Sequence, residues 1–254
     1  MVALVVDANF ITACASSLQA FKTATLLKTL NVNSLITGEV GVGKKSLAQY
    51  ILPDAPILDA SNHNELLSTL ESVNKIVIAN LESSPSIKKI IDILNSKRIR
   101  VVATAKSSYY NKNADKFFSV KFEIPPLKDR PADVEVLVKK FAKDASIFFN
   151  LKSEFKIKNF KPDLSQNSNS LKRQVMINYL LQDIKEEELM EIFQNYLVGK
   201  LGSNSDYKNF LHLYEAPLIK AGLQRFKSQL QLSNKLGLNR NTLRKKIAEN
   251  NKYL

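Results

Sequence analysis

The 254-residue sequence predicts an α/β fold, a parallel sheet extended by helices and closed by a small all-α module. Three observations predict it. Apolar, β-branched runs alternate with segments of helical spacing over residues 34–105. A glycine-rich loop stands between the first of these strands and the helix that follows it. Beyond Leu127 the strand signals fade, and only helical patterns follow.

Residues 1–28 read as a lead-in, with a helix expected over 17–30. Leu18, Phe21 and Leu26 fall on an apolar arc of roughly 140°, and Leu27 lies outside it. Residues 34–37 form a buried strand, and a helix starts near Ser46. Strands follow at 56–60, 75–80 and 100–105, with helices between them at 64–73 and 86–96. In the second helix Ile87, Ile90, Ile91 and Leu94 keep helical spacing. Pro131 suits the first turn of a further helix, whose apolar face is Val134, Leu137, Val138 and Phe141. Two more helices are expected at 171–181 and 185–197. Gly199, Gly202, Ser203, Asn204 and Ser205 make a linker.

The glycine loop carries the first chemistry. Three of the seven glycines are Gly38, Gly41 and Gly43, and none follows before Gly199. Strand, glycine loop and helix together make a P-loop: backbone N–H groups curl around a phosphate, and the helix N-terminus adds positive potential. The expected nucleotide contacts are Gly38, Glu39, Val40, Gly41, Val42, Gly43, Lys44, Lys45 and Ser46, with Lys44 reaching the β- and γ-phosphates. ATP or ADP is the expected ligand. Lys45 occupies the position where many P-loops place a metal-binding Ser or Thr, and Ser46 lies one residue further, about 100° around the helix. That displacement argues against Mg2+ more than against nucleotide.

The second chemistry lies at the C-terminus. The net charge is +13, and from His212 onward nine basic residues face two acidic ones, so the tail carries +7. From Gln229 the pattern is a helix-turn-helix, with Leu230, Ser233 and Leu236 on one face and Gly237 at the turn. Asn239 is a good N-cap for the second helix, and Leu243 and Ile247 pack inward. Arg240, Asn241, Thr242, Arg244, Lys245 and Lys246 then face outward, a set suited to base edges and phosphates in the major groove of double-stranded DNA.

Composition excludes other classes. No apolar run approaches the ~20 residues of a membrane span, and residues 1–7 carry no basic signal-peptide start. A single cysteine, Cys14, allows no internal disulfide, which favours a cytoplasmic protein. Cys14 reads as a small packed residue. His63 and His212 are too few and too separated for a metal centre.

The run from Gly237 to Ile247 resembles the Fis-type DNA-binding domain that ends bacterial enhancer-binding regulators of the NtrC kind, and 214–219 resembles its preceding helix. Phe226-Lys227-Ser228 replaces the Gly-Gly-Asn of relatives. Leu35-Ile36-Thr37-Gly38-Glu39 with Gly43-Lys44 is similar to the family's Walker A strand and loop. The segment 125–134 is similar to the entry of its AAA+ lid, and Leu171-Lys172-Arg173-Gln174-Val175 sits where a late lid helix begins. The resemblance implies an AAA+ P-loop sheet at 1–127, a helical lid at 128–198, a linker at 199–208 and a Fis-type domain at 209–254. It also implies a homodimer through the C-terminal domain.

The departures from the family concern catalysis. Asn80 and Leu81 stand where its Walker B acids belong, with Glu82 offset by one. Lys106 replaces the sensor asparagine, only Lys116 remains where arginine fingers are expected, and Leu171 replaces the second-sensor arginine. The stretch from Tyr50 to Asn80 is too short for the loop through which relatives contact sigma-54. These losses imply no catalytic residues, no metal site, negligible turnover and no sigma-54 polymerase partner. The expectation is a DNA-binding transcription regulator with a degenerate AAA+ domain. An active ATPase using Glu82 and a nucleotide-gated scaffold are the alternatives.

Overall fold

The computed structural model describes residues 10–150, 154–155, 160–226 and 228–254. The reading of residues 1–7 and of Lys227 therefore lies outside the described residues. The chain divides into two compact units, 1–183 and 184–254.

In the first unit, α1 (Ala15–Thr29) leads into β1 (Ser34–Thr37), α2 (Lys44–Ile51), β2 (Ile57–Asp59), α3 (His63–Leu70) and β3 (Lys75–Ala79). Then come α4 (Ile87–Ser96), β4 (Arg100–Ala105), α5 (Lys112–Phe117) and β5 (Val120–Glu123). The five strands are parallel, in the order β2-β3-β4-β1-β5. Alternation along the strands splits the core in two. Leu35, Ile76, Ile78, Val101 and Ala103 face Leu66 and Leu70 of α3 and Ile90, Ile91 and Leu94 of α4. Ile36, Val77 and Val102 face Phe21, Ala24 and Leu27 of α1 and Leu47, Ala48 and Ile51 of α2. Burial on both faces is why these strands read as unbroken apolar runs.

Two features differ from the sequence expectation. In α1 it is Leu27 that is buried, with Ser17, Ala20, Phe21 and Ala24, while Leu26 is exposed. The small residues Ser17, Ala20 and Ala24 let α1 lie close to its neighbours, and that stripe carries Leu27 inward. The short elements α5 and β5 were not anticipated. They close the far edge of the sheet beside β1.

The helical part of the same unit contains α6 (Pro131–Phe148) and α7 (Ser168–Leu181), with Pro131 in the first turn of α6. Val134, Val138, Phe141 and Ala145 of α6 pack on Leu171, Val175 and Tyr179 of α7. Leu171, expected from the resemblance at the place of the second-sensor arginine, is fully buried in this helical core.

The second unit holds α8 (Glu186–Val198), α9 (Asp206–Phe210), α10 (His212–Arg225), α11 (Gln229–Leu236) and α12 (Arg240–Glu249). The helix expected as the third of the lid is α8, and it falls in this unit. Residues 199–208, expected as an interdomain linker, lie inside it. Ile219, Leu232 and Leu243 form the small core, joined by Phe226, Leu236, Leu238 and Ile247. Leu232, not the exposed Leu230, fills this core beside the buried Ser233. Gly222 of α10 lets Leu232 approach, since a Cβ there would meet Leu232 Cδ1 at 2.3 Å.

Among the described residues no helix is long and apolar enough to cross a membrane.

The lead-in is fastened to the lid by one buried carboxylate. Asp133 Oδ1 accepts the N–H groups of Ala13 at 2.7 Å and Cys14 at 2.8 Å. Its Oδ2 faces Arg130 Nη1 at 3.3 Å, with both side chains almost fully buried. Burial pulls the Arg130 guanidinium below its usual range, while the Asp133 charge pushes back. Asp133→Ala would strand that cation in a dry site. Urea unfolding should show a loss of about 3–5 kcal/mol, the cost of breaking a buried pair from one side.

Candidate nucleotide and DNA sites

The P-loop follows β1, the strand at which the sheet order reverses, a place where open α/β sheets bind ligands. Gly41 and Gly43 have φ of 79° and 106°. Any side chain at Gly41 would strike Gln166 O at 2.3 Å, and one at Gly43 would meet the Phe10 ring at 2.9 Å. The loop is thus wedged between the lead-in and the start of α7.

The loop's carbonyls are all engaged. Lys44 Nζ donates to Gly38 O at 2.6 Å and to Glu39 O at 2.7 Å. Asn167 Nδ2 donates to Val40 O at 2.9 Å and to Glu39 Oε2 at 3.0 Å. Ser168 donates to Gly41 O through its backbone N–H at 3.1 Å and its hydroxyl at 2.5 Å. Arg130 Nη2 reaches Val42 O at 3.1 Å. Carbonyls held this way are fixed in place, and with them the backbone N–H groups of the same peptide units. The first N–H groups of α2 have no intrahelical acceptors and add to them. A P-loop offers phosphate this surface. Burial lowers the Lys44 pKa, against the charges of Glu82 and Glu39 that raise it, and Lys106 lowers it further.

Beside the loop lies a cavity of about 190 Å³, lined on one side by Phe10, Val42 and Ser46 and on the other by Leu137, Phe141 and Lys172. Ser46 thus turns toward the lid. Lys172 brings a basic side chain from α7 to this cavity. The sequence reading gave Arg130 and Asn167 no role at the loop, because their contacts with it span 88 and 128 residues of chain. Among the described residues no group of three or more His, Cys, Asp or Glu could hold a metal ion.

In the second unit α11 ends on Gly237, which adopts φ 65°, ψ 26° and makes the turn. Asn239 caps α12, its Oδ1 accepting the Asn241 N–H at 2.8 Å. Leu243 is fully buried and Ile247 packs on the same core. Asn239, Arg240, Asn241, Thr242, Arg244 and Lys245 are exposed along one side of α12. Lys246 departs from its expected outward position. Its ammonium is paired with Glu215 of α10, which also accepts from Asn250 Nδ2 at 3.4 Å. The outward face is one cation smaller than the sequence reading had it, and α12 is tied to α10 by that cation.

Residues 210–249 match the family model described as bacterial regulatory protein, Fis family. The tail is a Fis-family helix-turn-helix.

The Fis-type match covers α10, α11 and α12, and so includes the exposed row on α12. No curated protein matches the chain significantly. Solved structures do. NtrX from Brucella abortus in complex with ADP superposes with a TM-score of 0.56 at 15% identity, over 94% of this chain and 69% of that one. NtrX in complex with ATP gives a TM-score of 0.54 at 15% identity, over 95% of this chain and 69% of that one. At this identity the likeness shows the fold alone, a parallel α/β sheet followed by helices.

Removing the cap isolates its contribution. Asn239→Ala should lower the stability of the tail by about 1 kcal/mol. The change would be read as a lower thermal midpoint and reduced helicity, with the rest of α12 unaltered in sequence.

Proposed function

We propose that this chain is a cytoplasmic, DNA-binding transcription regulator whose AAA+ domain binds ATP or ADP without productive hydrolysis. The observation that carries the reading is the exposed row Asn239, Arg240, Asn241, Thr242, Arg244 and Lys245 on a capped helix of the Fis-type tail. Arg and Asn bond base edges bidentately, and Lys and Thr hold phosphates. Lys246 contributes by holding α12 at its angle to α10. The ADP- and ATP-bound NtrX structures support the choice of nucleotide, as does the glycine loop from Gly38 to Ser46 with its carbonyls anchored by side chains.

Two observations support the loss of motor function. Residues 52–74 hold β2 and α3 joined by short connections, where enhancer-binding relatives carry their sigma-54 contact loop. Glu82, the acid nearest the end of β3, has its Oε2 held by the Lys106 N–H at 3.3 Å. One of its oxygens thus serves as a structural acceptor, and sigma-54 polymerase is no partner in this reading.

A second copy of the chain is the partner that α8 fits. This helix buries none of its residues. Leu189, Ile192, Phe193 and Tyr196 nevertheless repeat at i, i+3, i+4 and i+7, all at least 40% exposed. The helix belongs to the unit that carries the Fis-type tail, and pairing two such stripes would set two α12 helices on the half-sites of a near-palindrome.

Two measurements test this reading. On a near-palindromic promoter fragment, log affinity should fall linearly with log salt, as for any contact that neutralises phosphates. Changing Arg240 and Arg244 together to Ala should abolish the specific shift, a loss of about 30-fold or more; retained specific binding refutes the assignment. Phe193→Glu should leave the fold intact, since the side chain is half-exposed. It should convert the dimer to a monomer in sedimentation and weaken binding to the two-half-site fragment. An unchanged sedimentation coefficient would remove α8 from the interface.

A further inference from the structure

The fold family implies Mg2+ beside the nucleotide phosphates, and the residues here do not fit it. A divalent cation needs hard oxygen donors, several of them with free lone pairs. Ser46 is among the residues lining the cavity beside the loop, and Lys45 stands where a metal-binding hydroxyl belongs. At the end of β3, Asn80 Nδ2 donates to Asp59 Oδ2 at 2.6 Å and its backbone N–H donates to Thr104 Oγ1 at 3.2 Å, which leaves a neutral amide oxygen where a carboxylate pair would hold a cation. Asp59 is the one carboxylate at the end of β2, and it is already taken. Its Oδ1 accepts both the Ser61 N–H at 3.0 Å and the Ser61 hydroxyl at 2.6 Å. Partial burial would raise its pKa, but those bonds, the Asn80 amide and the nearby Lys45 charge hold it below the usual range.

What the sheet edge offers instead is ammonium. β1 and β4 pair with Thr37 opposite Ala105, so Lys106, the next residue, stands level with Gly38 at the mouth of the P-loop. Lys106 lies close enough to Lys44 for their charges to interact, and its side chain is exposed. Lys44 and Lys106 therefore stand together at the mouth of the loop, with Glu82 and Glu39 also close enough to act on Lys44, and Lys45 close enough to Asp59 to act on it. A divalent cation there meets these ammonium groups, and the nearby carboxylates of Asp59 and Glu82 already accept hydrogen bonds.

We infer that the P-loop binds its nucleotide without a divalent metal, the ammonium groups of Lys44, Lys45 and Lys106 neutralising the phosphates in its place. This rests on the nucleotide-binding reading given above. Phosphate accepts charge-assisted bonds from lysine as a point charge, so the ligand class is a free nucleoside di- or triphosphate anion. A metal-free triphosphate also lacks the cation that spreads charge in phosphoryl transfer, which agrees with a binding role.

Titration of the full-length protein with ATP, by calorimetry in magnesium buffer and again in excess EDTA, tests this. The two dissociation constants should agree within about twofold. Lys106→Ala should weaken binding by about tenfold in both buffers, and Lys106→Arg should restore most of it. Because Lys106 is exposed, its thermal melt should match that of the parent protein. Binding strengthened tenfold or more by magnesium would overturn the inference and leave the nucleotide reading standing. Binding that is unaffected by Lys106→Ala would remove Lys106 from the site and overturn the three-lysine arrangement. Binding in neither buffer would overturn both readings together.

Discussion

The buried pair of Arg130 and Asp133 is the constraint on which the first unit depends. Neither ion has water to fall back on. Asp133 settles its charge on two backbone N–H groups of the lead-in and on the guanidinium. Arg130 settles its own on Asp133 and on the carbonyl of Val42 in the P-loop. Lead-in, lid helix and phosphate loop thus meet at one point. Such a pair adds little net stability over an apolar substitute of the same shape. What it supplies is direction, because the bonds to Ala13, Cys14 and Val42 all form in one arrangement only. Arg130 Nε, buried with no hydrogen-bond partner, marks how far the arrangement is bent to make that meeting.

Asn167 works in the same way from the other side. With φ 52° and ψ −126° it holds a conformation that most residues avoid. Its side chain bonds Leu127 N through Oδ1 at 2.7 Å, and the loop at Glu39 and Val40 through Nδ2. A short amide that tolerates positive φ can do this where a longer side chain cannot. The P-loop is consequently shaped by side chains from the lid as much as by its own glycines.

The parts legible in the sequence were those whose signal is local. Period and β-branching placed β1, β3 and β4 almost to the residue, and glycine placed the P-loop and the α11–α12 turn. The face of α1 was misjudged because Leu26 outweighs Ala20 and Ala24 in hydrophobicity, yet the alanines decide which side fits closely against the sheet layer. Leu230 and Leu232 were exchanged for a similar reason: one strong apolar residue looks like another until Gly222 opens a place for one of them. The acid-rich segment at 185–197 read as a helix, but nothing in it told what α8 belongs with, since none of its residues is buried. The ion pair of Lys246 with Glu215 and the Asp133 contacts link residues far apart in sequence, and charged residues carry no periodic signal that would predict such partners.

The contrast between the two sites follows from what each kind of chemistry needs. Cradling a phosphate relies on backbone N–H groups, and these persist as long as glycines and carbonyl anchors hold the loop in shape, whatever happens to the acids nearby. Hydrolysis and metal binding rely on a few carboxylates with open lone pairs, and each can be lost to a structural hydrogen bond, as those of Asp59 and Glu82 are engaged here. Reading DNA relies on side chains again, but on exposed ones that no neighbour can claim. Lys246 shows the boundary: once Glu215 takes its ammonium, it becomes a strut. Arg240 and Arg244 stay exposed on α12, whereas the carboxylate oxygens of Asp59 at the end of β2 already accept hydrogen bonds.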